Sequence, residues 1–186
     1  MVKFVKNVHQ AKGRCIAAFL LLCAICLNCY GDSYAVPDRL KAAYLYNFAK
    51  LTYWPTPKAE HQDQRLVICT SASDTFTQTL KDFSDKPIAG RSVQVVALGM
   101  LSDVDFCHMV FVDKAHSQSW LKQGNKIHKG QLLVGEFPGF IDNGGVINFF
   151  LEGDKLRFEI SLSNAQQHGL QLSSRLLKLA RVRQAP

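Results

Sequence analysis

The sequence lacks the short motifs by which most enzymes and metalloproteins are recognised. No two histidines after residue 35 have the one-, three- or four-residue spacing with which a single element presents two metal ligands. The glycine-rich stretch 135–145 matches neither a dinucleotide-binding fingerprint nor a phosphate loop. No serine has the flanking glycines of a nucleophile elbow. We therefore expect no metal, no cofactor and no catalytic residue, that is, a protein that is not an enzyme.

The sequence also lacks a clustered basic surface. Its net charge of +7 falls to +4 when the first 35 residues, which carry four bases and one acid, are set aside. Nucleic-acid-binding domains concentrate Lys and Arg on one face or along one helix, and no such concentration is visible here. We therefore expect no nucleic-acid partner.

A hydrophobic run long enough to cross a membrane is missing as well. The apolar stretch 16–29 has about fourteen residues, fewer than the roughly twenty that a membrane-spanning helix needs. It follows four basic residues and precedes Ser33, Tyr34 and Ala35. A basic segment, an apolar stretch and small residues, in this order, are typical of a secretory signal. We predict a signal peptide over residues 1–35, cleavage after Ala35, export to the periplasm and one folded domain over 36–186. The alternative is an uncleaved N-terminal anchor.

Cysteines are scarce once the leader is removed. Four of the six lie in residues 1–35, so only Cys69 and Cys107 remain. Two cysteines in an oxidising compartment favour one disulfide, which would destabilise the unfolded chain by about 4 kcal/mol. The alternatives are two buried free thiols or a Cys107 nucleophile beside His108.

The apolar pattern alternates between helices and strands. It predicts four helices: one over 38–52, one around Phe76, Leu80 and Phe83, a polar one over 117–124, and a final one whose buried stripe is Leu172, Leu176, Leu177, Leu179 and Ala180. It predicts single strands over 65–70, 92–98, 107–113 and 131–136, and a hairpin of two strands over 146–151 and 155–160. The prediction is a single three-layer α/β domain. Its sheet is mostly parallel, with helices on both faces and an antiparallel C-terminal hairpin.

A few polar and aromatic residues are candidates for binding. Arg157 and Glu159 project from the face of their strand opposite Leu156, Phe158 and Ile160. They form either a ligand or partner contact, together with Arg175, or an ordinary solvent-facing pair. Trp54, beside Pro55, either closes the core beneath the first helix or serves as an exposed aromatic anchor.

Three blocks of sequence resemble the YfiR-like family of bacterial periplasmic proteins. They are Lys41–Lys50 with Trp54 and Pro55; Gly144–Phe149 with Leu156–Ile160; and Gly169, Leu170 and Leu172–Ala180. The resemblance spans essentially the whole predicted domain. It implies a compact α/β fold, often dimeric, that holds an inner-membrane diguanylate cyclase inactive by binding its periplasmic sensor domain. Release of the cyclase raises cyclic di-GMP and favours biofilm growth.

The resemblance also implies roles for individual residues. Cys69 and Cys107 match the principal disulfide of the family, whereas a second, C-terminal disulfide has no counterpart because no cysteine follows Cys107. Glu159 matches a position in the region that binds partners and small ligands, and Arg157 and Arg175 accompany it. A peptidoglycan-associated outer-membrane lipoprotein is the expected sequestering partner, and reducing conditions are expected to weaken repression.

These expectations leave three functional hypotheses. The first is a repressor that acts by binding. The second is a periplasmic receptor for a small solute or nucleotide, which Glu159, Arg157 and Arg175 clamp through charge-assisted hydrogen bonds. The third is a periplasmic hydrolase or redox enzyme, which would require a reactive Cys107.

Overall fold

The computed structural model of the protein describes residues 36–54, 65–99, 104–123 and 129–183, all within the compact unit Val36–Pro186. Its elements are α1 (Asp38–Lys50), β1 (Thr52–Tyr53), β2 (Arg65–Thr70), α2 (Asp74–Lys81), β3 (Ser92–Ala97), β4 (Met109–Val112), α3 (Ser117–Gln123), β5 (Leu132–Gly135), β6 (Ile147–Glu152), β7 (Lys155–Ser161), α4 (Leu162–Gln167), β8 (Gln171–Leu172), α5 (Ser174–Leu177) and β9 (Arg181–Arg183). The predicted signal peptide lies outside the described residues. No described helix is long and apolar enough to span a membrane.

The described strands form a seven-stranded sheet in the order β3-β2-β4-β5-β6-β7-β9, with a separate antiparallel pair of β1 and β8. The first five strands in this order, from β3 through β2, β4 and β5 to β6, are parallel to one another. Strand β7 returns antiparallel to β6 through a tight turn in which Gly153 has a φ of 59°, and β9 runs parallel to β7. The predicted mostly parallel sheet with an antiparallel hairpin is confirmed.

Two apolar cores lie on opposite faces of this sheet. Because successive side chains of a strand point to opposite faces, Met109 and Phe111 of β4 enter the larger core, whereas Val110 and Val112 enter the smaller one. Helices α1 and α2 cover the larger core, and α3 covers the smaller one through Trp120. Burial on both faces explains why these strands are continuous apolar runs. The predicted three layers are confirmed.

Aromatic rings concentrate in the larger core. The Phe48 ring on α1 lies 4.8 Å from the Phe158 ring and 5.4 Å from the Phe149 ring, measured between centroids. The Tyr44 ring lies 5.9 Å from that of Phe149 and 5.7 Å from that of Phe158. Aromatic pairs add about 0.5–1.5 kcal/mol each beyond the burial of area. This cluster fixes α1 over the β6–β7 hairpin.

The smaller core depends on glycine and on the disulfide. The Phe140 ring packs so closely against Gly135 and Gly145 that a Cβ atom at either position would overlap it. Cys69 of β2 is bonded to Cys107, with a Cα–Cα distance of 5.9 Å, and both cysteines are buried. The predicted disulfide is confirmed, and the alternatives of free thiols or a nucleophilic Cys107 are wrong.

The predicted C-terminal helix is wrong. Only Ser174–Leu177 is helical, and the chain then forms β9 beside β7. Of the five residues in the predicted stripe, only Leu176 is fully buried, and Leu179 is 69% exposed. The short helix α4 was not predicted, and α1 ends at Lys50, two residues before its predicted end. Pairing of β9 with β7 prevails over the helical spacing of the leucines, because it satisfies backbone groups that the edge of β7 would otherwise expose.

Candidate binding surface

One part of the sheet contributes nothing to the smaller core. The strand residues of that core come from β2, β4 and β5, with Val96 of β3 packed against it, and none comes from β6, β7 or β9. Residues paired across strands share a face, and Asn148 pairs with Glu159, Phe150 with Arg157, and Glu159 with Arg181. We call this surface the charged face; its residues are Asn148, Phe150, Glu152, Arg157, Glu159, Arg181 and Arg183.

Glu152 organises one end of the charged face. Its carboxylate lies 2.8 Å from the Arg181 guanidinium and 3.4 Å from Nε of Arg157. The Arg181 guanidinium also lies 4.3 Å from the centroid of the Phe150 ring. The three charged side chains are each at least half exposed. Ion pairs at that exposure contribute about 0–1 kcal/mol, so these groups keep most of their capacity to bind an external partner.

Glu159 anchors the other end. Its side chain is only 14% exposed, and its Oε1 accepts a hydrogen bond from Nδ2 of the buried Asn148 at 3.4 Å. Its Oε2 lies 3.8 Å from Arg183, which also contacts the Asp142 carboxylate at 3.0 Å. The Oδ1 atom of Asn148 accepts from the Phe137 backbone N–H at 3.2 Å. Glu159 is therefore held in place by groups that connect the charged face to the smaller core.

The structure brings two of the four predicted binding residues together. Arg157 and Glu159 share the charged face. Arg175 is exposed on α5, whose Leu176 is buried in the larger core on the opposite face of the sheet. Trp54 packs against that same core, donates a hydrogen bond from Nε1 to the Ala49 carbonyl at 2.9 Å, and lies 6.3 Å from the His108 ring.

Arg181, Arg183 and Phe150 were not predicted as site residues. The positions of Arg181 and Arg183 depend on β9, whose residues were predicted to continue the final helix, whereas Phe150 lies on the correctly predicted β6 and enters the face through its contact with Arg181. Two arginines alternate with Val182, which is the pattern of a strand. Because this pattern covers only three residues, it is weaker than the helical spacing of the leucines before it.

A second polar cluster lies at the carboxyl ends of β2, β4 and β5. Ser71 Oγ donates to the Asp113 carboxylate at 2.9 Å, and His116 contacts the same carboxylate oxygen. Lys41 forms a 2.7 Å ion pair with Glu136 nearby along the sheet edge. A hydrolytic triad places histidine between serine and aspartate, whereas here the aspartate is in the middle. Among the described residues, no three His, Cys, Asp or Glu side chains are arranged to hold a metal ion.

A family model described as DUF4154, YfiR/HmsC-like, matches residues 38–181. The chain belongs to the YfiR/HmsC-like family. The resemblance found in the sequence is thereby confirmed. The family is one of periplasmic regulatory proteins.

Two solved structures show limited similarity to this YfiR/HmsC-like chain. One is an ABC domain in complex with L-Trp from Streptococcus pneumonia, with 13% identity, a TM-score of 0.46 and coverage of 63% of this chain and 54% of that one. The other is a conserved domain protein from Vibrio cholerae, with 8% identity, a TM-score of 0.47 and coverage of 80% and 60%. The chain thus matches less than two thirds of the length of either structure. A comparison with curated proteins finds no match.

Proposed function

We propose that this protein is a periplasmic negative regulator that binds the periplasmic sensor domain of an inner-membrane diguanylate cyclase and thereby represses cyclic di-GMP synthesis. Family membership supports the class of regulator. The observation that carries the binding role is the charged face, on which arginines and carboxylates form ion pairs beside strands that contribute nothing to the smaller core. Arginine and aromatic side chains are enriched at the energetic centres of protein interfaces.

Arg157 is the residue best placed to contact a partner. It is half exposed and lies 3.4 Å from the carboxylate of Glu152, which Arg181 also contacts at a shorter distance of 2.8 Å. A partner carboxylate could therefore replace Glu152 at Arg157 while Glu152 keeps Arg181. Glu159, which is held from beneath by Asn148, is the corresponding acceptor for a partner cation. The face thus offers both charge signs at fixed positions, which favours one orientation of the partner.

The solute-receptor hypothesis receives less support from this geometry. The proposed clamp needs Glu159, Arg157 and Arg175 around one small molecule. Arg175 belongs to α5, which packs on the larger core, so the three side chains do not surround a common space. A surface that binds a protein domain needs no such enclosure.

Redox control and sequestration are the finer parts of the proposal. We include a peptidoglycan-associated outer-membrane lipoprotein as the sequestering partner, on the strength of the family resemblance. The Cys69–Cys107 bridge is the one redox-active group among the described residues. It lies in the smaller core, and reducing it would loosen the side of the sheet that carries the charged face.

The binding proposal is tested with the oxidised mature protein and the purified periplasmic domain of the membrane cyclase encoded beside it. We expect Arg157→Glu to weaken binding at least about tenfold, equivalent to 1.4 kcal/mol. Lys81→Glu makes the same charge reversal on α2, which covers the larger core, and should bind like the natural protein. A folded natural protein that does not bind the domain, or equal binding by both variants, would contradict the proposal.

A further inference from the structure

The disulfide joins two residues that the register of the sheet alone would keep apart. Strands β2 and β4 pair Cys69 with Val110, so a regular continuation of β4 would put Cys107 three residues away from that pair. Three residues of strand span about 10 Å. The two cysteine Cα atoms are nevertheless 5.9 Å apart, and a disulfide cannot form across more than about 7 Å. The bond therefore depends on the path by which the chain reaches Cys107.

The chain leaves the line of β4 at His108. The His108 C=O accepts from the Leu132 N–H beside it in β5 at 2.8 Å, whereas its N–H donates to the Val67 carbonyl of β2 at 2.9 Å. The N–H and C=O of a strand residue normally point to the same neighbouring strand, so the backbone turns here. Cys107 consequently joins Cys69 and Val67 in the smaller core.

A buried glutamine holds the segment that makes this turn. Gln131, immediately before β5 and 2% exposed, donates from Nε2 to the Val104 carbonyl at 2.6 Å and to the Cys107 carbonyl at 2.8 Å. The Cys107 N–H also donates to the Val104 carbonyl, at 2.9 Å. None of these three bonds involves a sulfur atom. They are therefore available to the folded protein whether Cys107 is bonded to Cys69 or is a thiol.

The amide of Gln131 acts through its donors alone. Its Oε1 atom is buried and has no hydrogen-bond partner among the described residues. A buried acceptor without a partner costs free energy, so the side chain gains only from the two bonds that its nitrogen donates. Both of those bonds end on the turn that carries Cys107. The effect of Gln131 is thus concentrated on the position of this cysteine.

We propose that Gln131 is the positioning residue of the Cys69–Cys107 couple: it keeps Cys107 beside Cys69 when both are thiols and so makes the bridge resist reduction by small thiols. In that reduction two small thiols give two electrons and two protons to the bridge. The Cys69–Cys107 bond breaks, both sulfurs become thiols, and the small thiols join in a disulfide. Protein thiols held together reverse this exchange because their effective concentration is high.

The test is the equilibrium of the folded mature protein with reduced and oxidised glutathione. The equilibrium constant for forming the bridge has units of concentration and measures how well the fold holds the two thiols together. Flexibly tethered groups have effective concentrations in the millimolar range, and we expect the natural protein to exceed that range at least about a hundredfold. This role does not rest on the proposed repressor function, because the measurement uses the isolated protein.

Two substitutions of Gln131 test its share of the effect. Gln131→Leu removes both donated bonds at nearly the same side-chain volume, and we expect it to lower the glutathione constant at least about tenfold. Gln131→Asn keeps the amide but is one methylene shorter, so it cannot reach both carbonyls and should give an intermediate constant. The asparagine variant carries the test if the leucine variant does not fold.

Asn164→Leu is the matched control. Asn164 also donates two hydrogen bonds from one amide nitrogen, to the Ile141 carbonyl at 2.8 Å and the Gly145 carbonyl at 2.7 Å, outside the segment that carries Cys107. Stabilisation shared by the oxidised and reduced proteins cancels in the glutathione equilibrium. We therefore expect Asn164→Leu to lower the urea midpoint and to leave the glutathione constant within about twofold of the natural value.

Three results would overturn the proposal. The first is a natural protein whose glutathione constant lies in the millimolar range, since its fold would not hold the thiols together. The second is a constant that neither Gln131 variant changes. The third is a control variant that lowers the constant as much as Gln131→Leu does, since the effect would then be one of general stability.

Discussion

The two faces of the sheet bury and expose very different side chains. On one face, α1 and α2 cover a continuous core in which Phe48, Phe149 and Phe158 pack together. On the other face, the smaller core ends at β5, and the strands beyond it carry paired arginines and carboxylates. The contrast indicates that the first face provides most of the stability, and it supports the proposal that the second face binds a partner.

The largest expected effect comes from the aromatic cluster. Phe48 is 1% exposed and contacts three other rings. We expect Phe48→Ala to lower the free energy of unfolding by about 3–5 kcal/mol, because it removes buried area and leaves a cavity. Urea denaturation followed by circular dichroism measures this. A loss below about 1 kcal/mol would show that the larger core does not have the dominant role assigned to it.

Removing the disulfide should have the next largest effect. The bridge closes a loop with a sequence separation of 38. We expect the double variant Cys69→Ser, Cys107→Ser to lose about 4 kcal/mol relative to the oxidised protein, because the unfolded chain regains loop entropy. Added reductant should destabilise the natural protein and leave the double variant unchanged. Equal stability of the two proteins under oxidising conditions would mean that the bridge contributes nothing to folding.

The smallest effect on stability is expected on the charged face. Arg181→Ala removes one exposed ion pair and one cation–π contact. We expect it to change the free energy of unfolding by about 1 kcal/mol or less. Thermal denaturation measures the shift. A loss of stability comparable to that of Phe48→Ala would show that both faces contribute equally to the free energy of unfolding.

Much of this contrast could be predicted from the sequence. The buried strands are apolar runs, and the alternation of Arg157 and Glu159 with Leu156, Phe158 and Ile160 correctly separates the two faces of β7. These features depend on local periodicity, which the sequence displays directly.

The end of the chain could not be predicted in the same way. Leu172, Leu176 and Leu179 have helical spacing, yet they fall in β8, α5 and the turn before β9. The structure of this segment depends on the pairing of Arg181 with Glu159, which is distant from it in the sequence. The same long-range pairing brings Arg183 beside Glu159, so two of the seven residues of the charged face, Arg181 and Arg183, could not be placed there from local patterns.

We propose that the charged face is the surface through which the protein represses a membrane cyclase. The most direct measurement is the cellular level of cyclic di-GMP in a strain that lacks this gene and expresses natural protein, Arg157→Glu or Lys81→Glu, with periplasmic amounts matched by immunoblotting. We expect the natural protein and Lys81→Glu to lower cyclic di-GMP, whereas Arg157→Glu should leave it high. Full repression by Arg157→Glu would show that repression does not act through the charged face.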